Sequence, residues 1–426
     1  MSAAAIPTLR GDAAVGLLTD GYAYGARRFE RTGRDAFHTR MLGRPATFVR
    51  GVDGARFFAE DERFTRVGAL PPPVLLSLQD AGSVQQLTGP AHHARKALFL
   101  GLLDEAGRAR LRAAFREDWE AALPTWRAAE RVILHRAVAG VLTRAVCRWA
   151  GIPLDARSAR ARTAEFLAML DGAGGFGPRN WWGLLRRHQT ETWARDVIRR
   201  GRAGEAGGVV ARLLAHRDAD GTPLSDDVAA VELINLLRPT VAVGRFIVFA
   251  ALALHRHPEW AARFAASDDE HLRGFVQEVR RTAPFFPLVA GRARHDLEWH
   301  GEHLSAGHLV ALDIFATLRD PAVWSDPMRF RPERHAVAGE RARRRGRAHR
   351  AGRGRPRHRP PLPRRAAHDR APRGRRAAAR PRHDVRRAAA GRARGPAALP
   401  DPAAIRVCDD PRPARLTDRE GTACAH

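Results

Sequence analysis

Residues 274–287 read GFVQEVRRTAPFFP, and this stretch carries the most information about the fold. Glu278 and Arg281 stand three positions apart, so on a helix they share one face and can form an ion pair. By itself this spacing is typical of a surface salt bridge, which contributes little to stability. A predicted hairpin follows, then LDIFATLRDPAVWSDP, and then FRPER at 330–334, which ends on Arg334. The order of these motifs identifies the fold better than any one of them.

On both sides of this stretch, helical periodicity dominates residues 1–335. The longest predicted helix covers 225–257, beginning at Ser225 and ending before Pro258. Extended segments are predicted within 46–52, 288–301 and 308–316, with a turn at Gly301. The pattern therefore predicts one domain over 1–335 that is mainly α with a small β region.

The net charge of +27 is unevenly distributed along the chain. Residues 341–426 contribute +19 of it through 26 arginines against seven acids, which leaves +8 for the first 340 residues. From 336 to 426 there is no aromatic residue and no apolar periodicity, so this second segment predicts disorder. One interpretation is a basic tail that binds nucleic acid, but the lack of aromatic residues for base stacking argues against it.

Three cysteines, Cys147, Cys408 and Cys424, are too few and too scattered for a disulfide framework or a zinc site. No stretch of 18 uncharged apolar residues predicts a membrane span. The first residues, MSAAAIPTLRGDAAVG, lack the basic flank and long apolar run of a secretory signal. We therefore expect a cytoplasmic protein.

Arg238 and Pro239 interrupt the apolar sequence of the longest predicted helix. A buried arginine is costly unless an anion meets it, and proline removes a backbone donor and kinks a helix. Two interpretations follow from the residues alone. The arginine extends to the surface at the bend, or it holds an anion inside the protein.

Taken together, the motifs of residues 15–335 resemble the cytochrome P450 superfamily. Ordinary members carry an acid–threonine pair where this chain has Arg238-Pro239, and that replacement resembles the bacterial fatty-acid peroxygenase branch. The resemblance implies the cytochrome P450 fold and a heme b cofactor. It also implies that Glu278, Arg281 and Arg334 form a buried structural triad.

The resemblance further implies heme-thiolate hydroxylation of long-chain fatty acids at the α or β carbon with hydrogen peroxide, without a redox partner. Arg238 would hold the substrate carboxylate by a charge-assisted pair. Arg238-Pro239 argues against the alternative, a reductase-dependent monooxygenase of the same fold. The other implied site residues are Gln85 near the distal face, His92, Arg95 and Lys96 on the heme propionates, and Phe176 and Phe285 along the acyl channel.

One required feature is missing, namely the cysteine thiolate that binds the heme iron. In this branch it lies in a stretch like GGGD…GHRCPGE, shortly after the FRPER-like motif. With His-Ala-Thr chosen for the variable positions, the stretch is GGGDHATGHRCPGE. Written in GC-rich codons and read one base out of frame, that stretch gives RGRPRHRPPLPRR, which is residues 353–365 of this chain. We infer a frame error between about 335 and 352, which would split the cysteine codon across Leu362 and Pro363. The chain as written would then be inactive.

Overall fold

The computed structural model describes residues 5–60, 63–69, 83–174, 177–266 and 270–335. The predictions for Phe176, for the two later cysteines and for segment 336–426 lie outside the described residues. Helices dominate the described part of the chain: α1 (Ala13–Asp20), α2 (Ala23–Thr32), α3 (Gly51–Ala59), α4 (Gly89–Leu102), α5 (Glu105–Ala128), α6 (Leu134–Ala150), α7 (Ala156–Gly172), α8 (Pro178–Arg200), α9 (Gly208–Leu214), α10 (Asp226–Ala242), α11 (Gly244–Arg256), α12 (Pro258–Ala265), α13 (Leu272–Thr282) and α14 (Ile314–Thr317). Short 3₁₀ turns occur at Val84–Gln86 and Pro332–His335.

The β region is small, as the sequence predicts. Its strands are β1 (Thr8–Asp12), β2 (Ala36–Met41), β3 (Arg44–Val49), β4 (Phe64–Thr65), β5 (Leu288–Ala293), β6 (Leu297–Trp299), β7 (Glu302–Leu304) and β8 (Leu309–Asp313). Six of them form a mixed sheet in the order β1-β2-β3-β8-β5-β4, in which β1–β2 and β3–β8 are parallel. Strands β6 and β7 form a separate hairpin, and Gly301 in its turn has a φ of 77°, which favours glycine.

Helix α10 lies at the centre of the helical part of the molecule. Ser225 caps it by accepting a hydrogen bond from the Val228 backbone, and Asp226 and Asp227 occupy its first turn. It packs against α6, α7 and α8, and its apolar residues belong to the largest buried cluster. Any polar side chain on its inner face is therefore held away from water.

The long helix predicted for 225–257 is divided at Val243 into two consecutive helices, α10 and α11, although Val243 itself keeps helical dihedral angles (φ −57°, ψ −24°). The helical turn continues past Pro239, and the break falls at Val243. Gly244 then begins α11, where a Cβ atom would lie only 3.1 Å from Leu142 Cδ1 of α6. A larger residue at this point would require the Leu142 side chain to shift by a few tenths of an ångström, so the close approach of α11 to α6 favours glycine.

Taken as one unit, residues 226–256 are long and apolar enough to cross a membrane by length and composition. Buried core helices of globular folds pass the same test, and α10 packs on three other helices. This segment is thus weak evidence for a membrane span, and the absence of a span remains a prediction.

Candidate functional site

Three polar residues occupy one face of the otherwise apolar α10. Glu232, Asn235 and Arg238 follow one another at intervals of three residues, and their exposed fractions are 0%, 5% and 3%. The Asn235 amide Nδ2 donates to Glu232 Oε2 at 3.0 Å, and Arg238 Nη2 donates to Asn235 Oδ1 at 3.3 Å. Helical spacing thus converts three separate positions into one buried hydrogen-bonded row.

Arg238 lies inside the protein and does not extend to the surface. Burial of its guanidinium, together with the positive charge of Arg187 on α8, lowers the pKa of Arg238 to about 9. The Arg187 side chain is itself buried, and its Nε donates to Glu191 Oε1 at 2.8 Å. The charged form of Arg238 is therefore disfavoured by its surroundings, and an anion beside it would favour that form again.

Gln85 lies in the 3₁₀ turn that precedes α4, and the structure brings this turn against α10. Asn235 Nδ2 lies 3.4 Å from Gln85 Oε1, and the backbone N–H of Val84 donates to Glu232 Oε1 at 2.8 Å. The two residues predicted to act at the distal face, Gln85 and Arg238, therefore both contact Asn235. Chain segments about 150 residues apart meet at one point of α10.

The three residues predicted to bind heme propionates do not share one environment. Arg95 is 3% exposed and is held by two carboxylates, with Nη1 donating to Glu232 Oε1 at 2.7 Å and Nε to Asp218 Oδ1 at 3.0 Å. His92 is half-buried and Lys96 is exposed. These contacts favour a structural role for Arg95, whereas a propionate role for His92 and Lys96 stays a prediction.

Phe285 lies beside the beginning of α11. Its ring stacks on Phe246 with centroids 4.5 Å apart and meets Phe286 edge-on. The Tyr22 hydroxyl donates to the Phe285 carbonyl at 3.0 Å, which fixes the backbone there. Phe246 lies eight residues after Arg238 along the chain, and the place of this aromatic pair along an acyl channel stays a prediction.

Glu278 is the centre of a second buried cluster. Arg281 Nη2 and Nε donate to its two oxygens at 2.8 Å each, and Arg334 Nε donates to Oε1 at 3.1 Å. His335 Nε2 lies 2.9 Å from Oε2, and the Arg331 backbone N–H donates to Oε1 at 2.9 Å. Burial raises the pKa of Glu278, but these hydrogen bonds outweigh it and lower the pKa to about 2. The structure thus brings the three predicted triad residues together and adds His335 to them.

The residues predicted from the sequence do not include Glu232, Asn235 or Asp218. Glu232 and Asn235 could have been found, because they are polar positions in the apolar run AAVELINLLRP at the helical spacing of Arg238. Asp218 lies in the turn after α9, 123 residues along the chain from Arg95, so no local pattern predicts that contact.

The described residues do not include a thiolate for a heme iron. Cys147, on α6, is fully buried, and its burial raises the pKa of the thiol to about 12, so it stays protonated. Within the described ranges no group of three or more His, Cys, Asp and Glu could hold a metal ion. The described residues therefore offer polar groups to a heme pocket without an axial ligand for its iron.

Comparisons with known proteins agree with this architecture. The cytochrome P450 family profile matches residues 268–349. A solved mutant of cytochrome P450SP alpha (CYP152B1) is 38% identical, with a TM-score of 0.73, and the alignment covers 76% of this chain and 80% of that one. Cytochrome P450EX alpha (CYP152N1), solved with myristic acid, is 33% identical, with a TM-score of 0.73 and coverage of 78% and 80%.

Curated relatives match over a shorter length. Cytochrome P450 78A3 of Glycine max is 34% identical over 145 residues, which are 30% of this chain and 28% of that protein. The chain thus spans little more than a quarter of the length of that relative. The solved structures extend the likeness over about three quarters of this chain. The chain belongs to the cytochrome P450 superfamily, in its fatty-acid peroxygenase branch, and this membership implies heme as the cofactor.

Proposed function

We propose that this chain derives from a fatty-acid hydroxylase that uses hydrogen peroxide, and that Arg238 is its carboxylate anchor. The observation that carries the proposal is the burial of Arg238 beside Asn235, in a place where its charged form is disfavoured. A fatty-acid carboxylate would favour the charged form of the Arg238 guanidinium through a charge-assisted, bidentate pair. The myristic acid in the P450EX alpha structure supports a ligand of this class.

The residues of the chain would bind and orient the substrate. Arg238 would hold the carboxylate, and Gln85, which shares Asn235 with it, would border the same space. Phe246 and Phe285 would exclude water from the adjoining part of the acyl chain. A chain fixed at its carboxyl end presents its first carbons at a constant position, which favours reaction at the α or β carbon.

Heme supplies the oxygen-transfer chemistry of this family when it is bound. We assign no reaction step to it in this chain, because the described residues lack the axial thiolate. Peroxide chemistry would make a reductase unnecessary, and a cytoplasmic location fits these partners. On the frame-error hypothesis the protein as written binds fatty acids without oxidising them, whereas a frame-repaired protein carrying GHRCPGE is a working enzyme.

The first experiment compares the protein as written with the frame-repaired protein after addition of heme, reduction and exposure to carbon monoxide. We expect the thiolate-type absorption band only in the repaired protein. The same band in the protein as written would overturn the missing-ligand proposal. Its absence from the repaired protein would overturn the frame-error proposal.

The second experiment tests the anchor by measuring myristic acid binding to the full chain by calorimetry. Arg238→Ala should lower the affinity at least about tenfold, since it removes a charge-assisted pair. Arg245→Ala is the matched control, because Arg245 lies on the next helix and pairs with Asp171 at 3.0 Å. Equal affinity in the two variants would show that Arg238 is not the anchor.

A further inference from the structure

Glu232 receives hydrogen bonds from three different parts of the fold. Its Oε1 accepts from the Val84 backbone N–H at 2.8 Å and from Arg95 Nη1 of α4 at 2.7 Å. Its Oε2 accepts from Asn235 Nδ2, one turn along α10, at 3.0 Å. The side chain is fully buried, so no water replaces any of these donors. A residue that takes part in no predicted chemistry therefore connects the Val84–Gln86 turn, α4 and α10.

The bond to Asn235 has a direct consequence for Arg238. A carboxylate only accepts hydrogen bonds and a guanidinium only donates them. Asn235 lies between the two, so both are satisfied only when its Nδ2 faces Glu232 and its Oδ1 faces Arg238. Glu232 thus dictates the orientation of the amide, and the amide in turn gives Arg238 a fixed acceptor at 3.3 Å.

The bond to Val84 has a parallel consequence for Gln85. The Val84–Gln86 turn has no side-chain cap, and Glu232 binds its first backbone N–H from across the fold. The Gln85 side chain then meets the same Asn235 amide, at 3.4 Å. One carboxylate therefore positions both the anchor and the residue predicted to stand beside it.

Arg95 and Asp218 complete the cluster. Arg95 offers a cation to Glu232, and the carboxylate of Asp218 binds the other side of the same guanidinium. His216, in the turn before Asp218, approaches Asp218 Oδ1 at 3.3 Å. The charged or titratable groups around Glu232 in the described residues are thus Arg95 from α4, Asp218 and His216 from the turn after α9, and Arg238 from α10 itself.

We propose that Glu232 is a positioning residue for the carboxylate site, acting on Arg238 through Asn235 and on Gln85 through the backbone of Val84. This inference rests on the proposed function, because it takes Arg238 as the group that meets the fatty-acid carboxylate. It also gives Arg95 a role other than heme binding, as the countercharge of the positioning carboxylate.

Glu232→Gln is a sharp test because it keeps the size of the side chain, replaces one acceptor oxygen with a donor NH₂ group and removes the charge that faces Arg95. The glutamine NH₂ group must face either the Asn235 Nδ2 or the Val84 N–H and Arg95, and each of these is a donor. Either choice disturbs one arm of the network. We expect affinity for myristic acid to fall about tenfold, and affinity for 1-tetradecanol, which has no carboxylate, to stay unchanged.

Asn235→Leu provides the second variant, since leucine cannot accept from Arg238. It should weaken myristic acid binding to a similar extent, and it keeps the inference testable if Glu232→Gln does not fold. The double variant should lose little more than either single variant, because both act on the same contact. Additive losses would overturn the route through Asn235.

Glu165→Gln is the matched control. Glu165 is also buried, pairs with Arg162 at 2.8 Å and accepts from Thr190 Oγ1 at 2.7 Å, but it lies on α7 outside this network. Its substitution should leave myristic acid affinity unchanged. An equal loss in Glu165→Gln, or an equal loss of 1-tetradecanol binding in Glu232→Gln, would mean general destabilisation and would overturn the positioning role.

Arg238→Ala separates this inference from the function on which it rests. If Arg238→Ala weakens binding of myristic acid and Glu232→Gln does not, the positioning role is wrong and the anchor stands. If neither substitution matters, or if the unmodified chain does not bind myristic acid, the proposed function fails first and the inference fails with it.

Discussion

Two clusters of buried charge, one around Glu278 and one around Arg238, are built from the same local pattern and reach opposite electrostatic outcomes. Each starts from charged or polar residues three apart on a helix. Around Glu278 the hydrogen bonds outweigh burial and lower the pKa of the carboxyl to about 2, so its charged form is stabilised. Around Arg238, burial and Arg187 lower the pKa of the guanidinium to about 9, so its charged form is disfavoured.

The difference lies in what surrounds each charge. Glu278 is bound by two arginines, a histidine and a backbone N–H, and Arg281 also donates to the carbonyls of Leu318 and Pro327. The Glu278 cluster therefore joins α13 to the chain that follows β8. Gly274 lets the 3₁₀ turn approach, since a Cβ atom there would lie 2.8 Å from the Pro332 carbonyl oxygen. A closed cluster of this kind stabilises the scaffold, whereas a buried cation whose charged form is disfavoured is suited to binding an anion.

The largest expected effect comes from opening the closed cluster. Glu278→Gln leaves Arg281 and Arg334 without their anion and should reduce the free energy of unfolding by about 3 kcal/mol at pH 7. Because the pKa of Glu278 is lower in the folded state than its ordinary value of 4.5, this stability is present above pH 4.5 and is lost as pH falls toward 2. The difference between the two proteins should therefore shrink across that window, as measured by urea unfolding.

Glu333→Gln is the control for that measurement. Glu333 lies in the 3₁₀ turn that also carries Arg334, but its side chain is exposed. Its substitution should therefore change the free energy of unfolding by less than about 0.5 kcal/mol. A difference between Glu278→Gln and the unmodified protein that stays constant down to pH 2.5 would contradict the account of Glu278 as a stabilised charge.

The second-largest expected effect is an increase in the free energy of unfolding. Arg238→Met replaces a buried cation with an apolar side chain of similar length, and we expect the free energy of unfolding to rise by about 2 kcal/mol while myristic acid binding is lost. The control is Arg245→Met, which removes a partly exposed ion pair and should be close to neutral. If Arg238→Met instead destabilised the protein as Glu278→Gln does, the two clusters would be of the same kind.

More of the Glu278 cluster than of the Arg238 cluster could be predicted from the sequence. The spacing of Glu278 and Arg281 and the FRPER motif were sufficient to bring three residues together, because the first pair is local and the resemblance supplied Arg334. The same reasoning directed Arg95 toward a cofactor, because a helical wheel shows which residues share a face and not which distant carboxylate meets them. The spacing of Glu232 from Arg238 is visible in the sequence, but its partners are not, because Val84 and Arg95 lie 148 and 137 residues away along the chain.

The helix boundary was missed for a related reason. Pro239 predicted a kink at its own position, and the structure places the break at Val243, where Gly244 meets α6. Tertiary packing thus decides where an interrupted helix separates into two. Predictions for Phe176 and for the Leu362 and Pro363 position remain predictions, since both lie outside the described residues.

The smallest expected effect concerns the pH dependence of fatty-acid binding, and measuring it tests the charge of Arg238 directly. A carboxylate binds the charged guanidinium, so its affinity should be constant up to about pH 9 and then fall about tenfold for each pH unit. Binding of 1-tetradecanol should not change over the same range. Arg238→Lys should move the break to lower pH by about two units, because the ordinary pKa of lysine is about 10.4 and that of arginine about 12.5.

The direction of this shift distinguishes a change in the anchor from a change in the ligand. A fatty acid is fully ionised above pH 7, so its own titration lies far below the expected break and is the same for both proteins. If the pH at which the affinity begins to fall changes with the residue at position 238, that residue is the group that titrates. Constant affinity up to pH 10.5 would mean that Arg238 keeps its charge despite burial, as a compensated cation does, and the contrast with the Glu278 cluster would no longer hold.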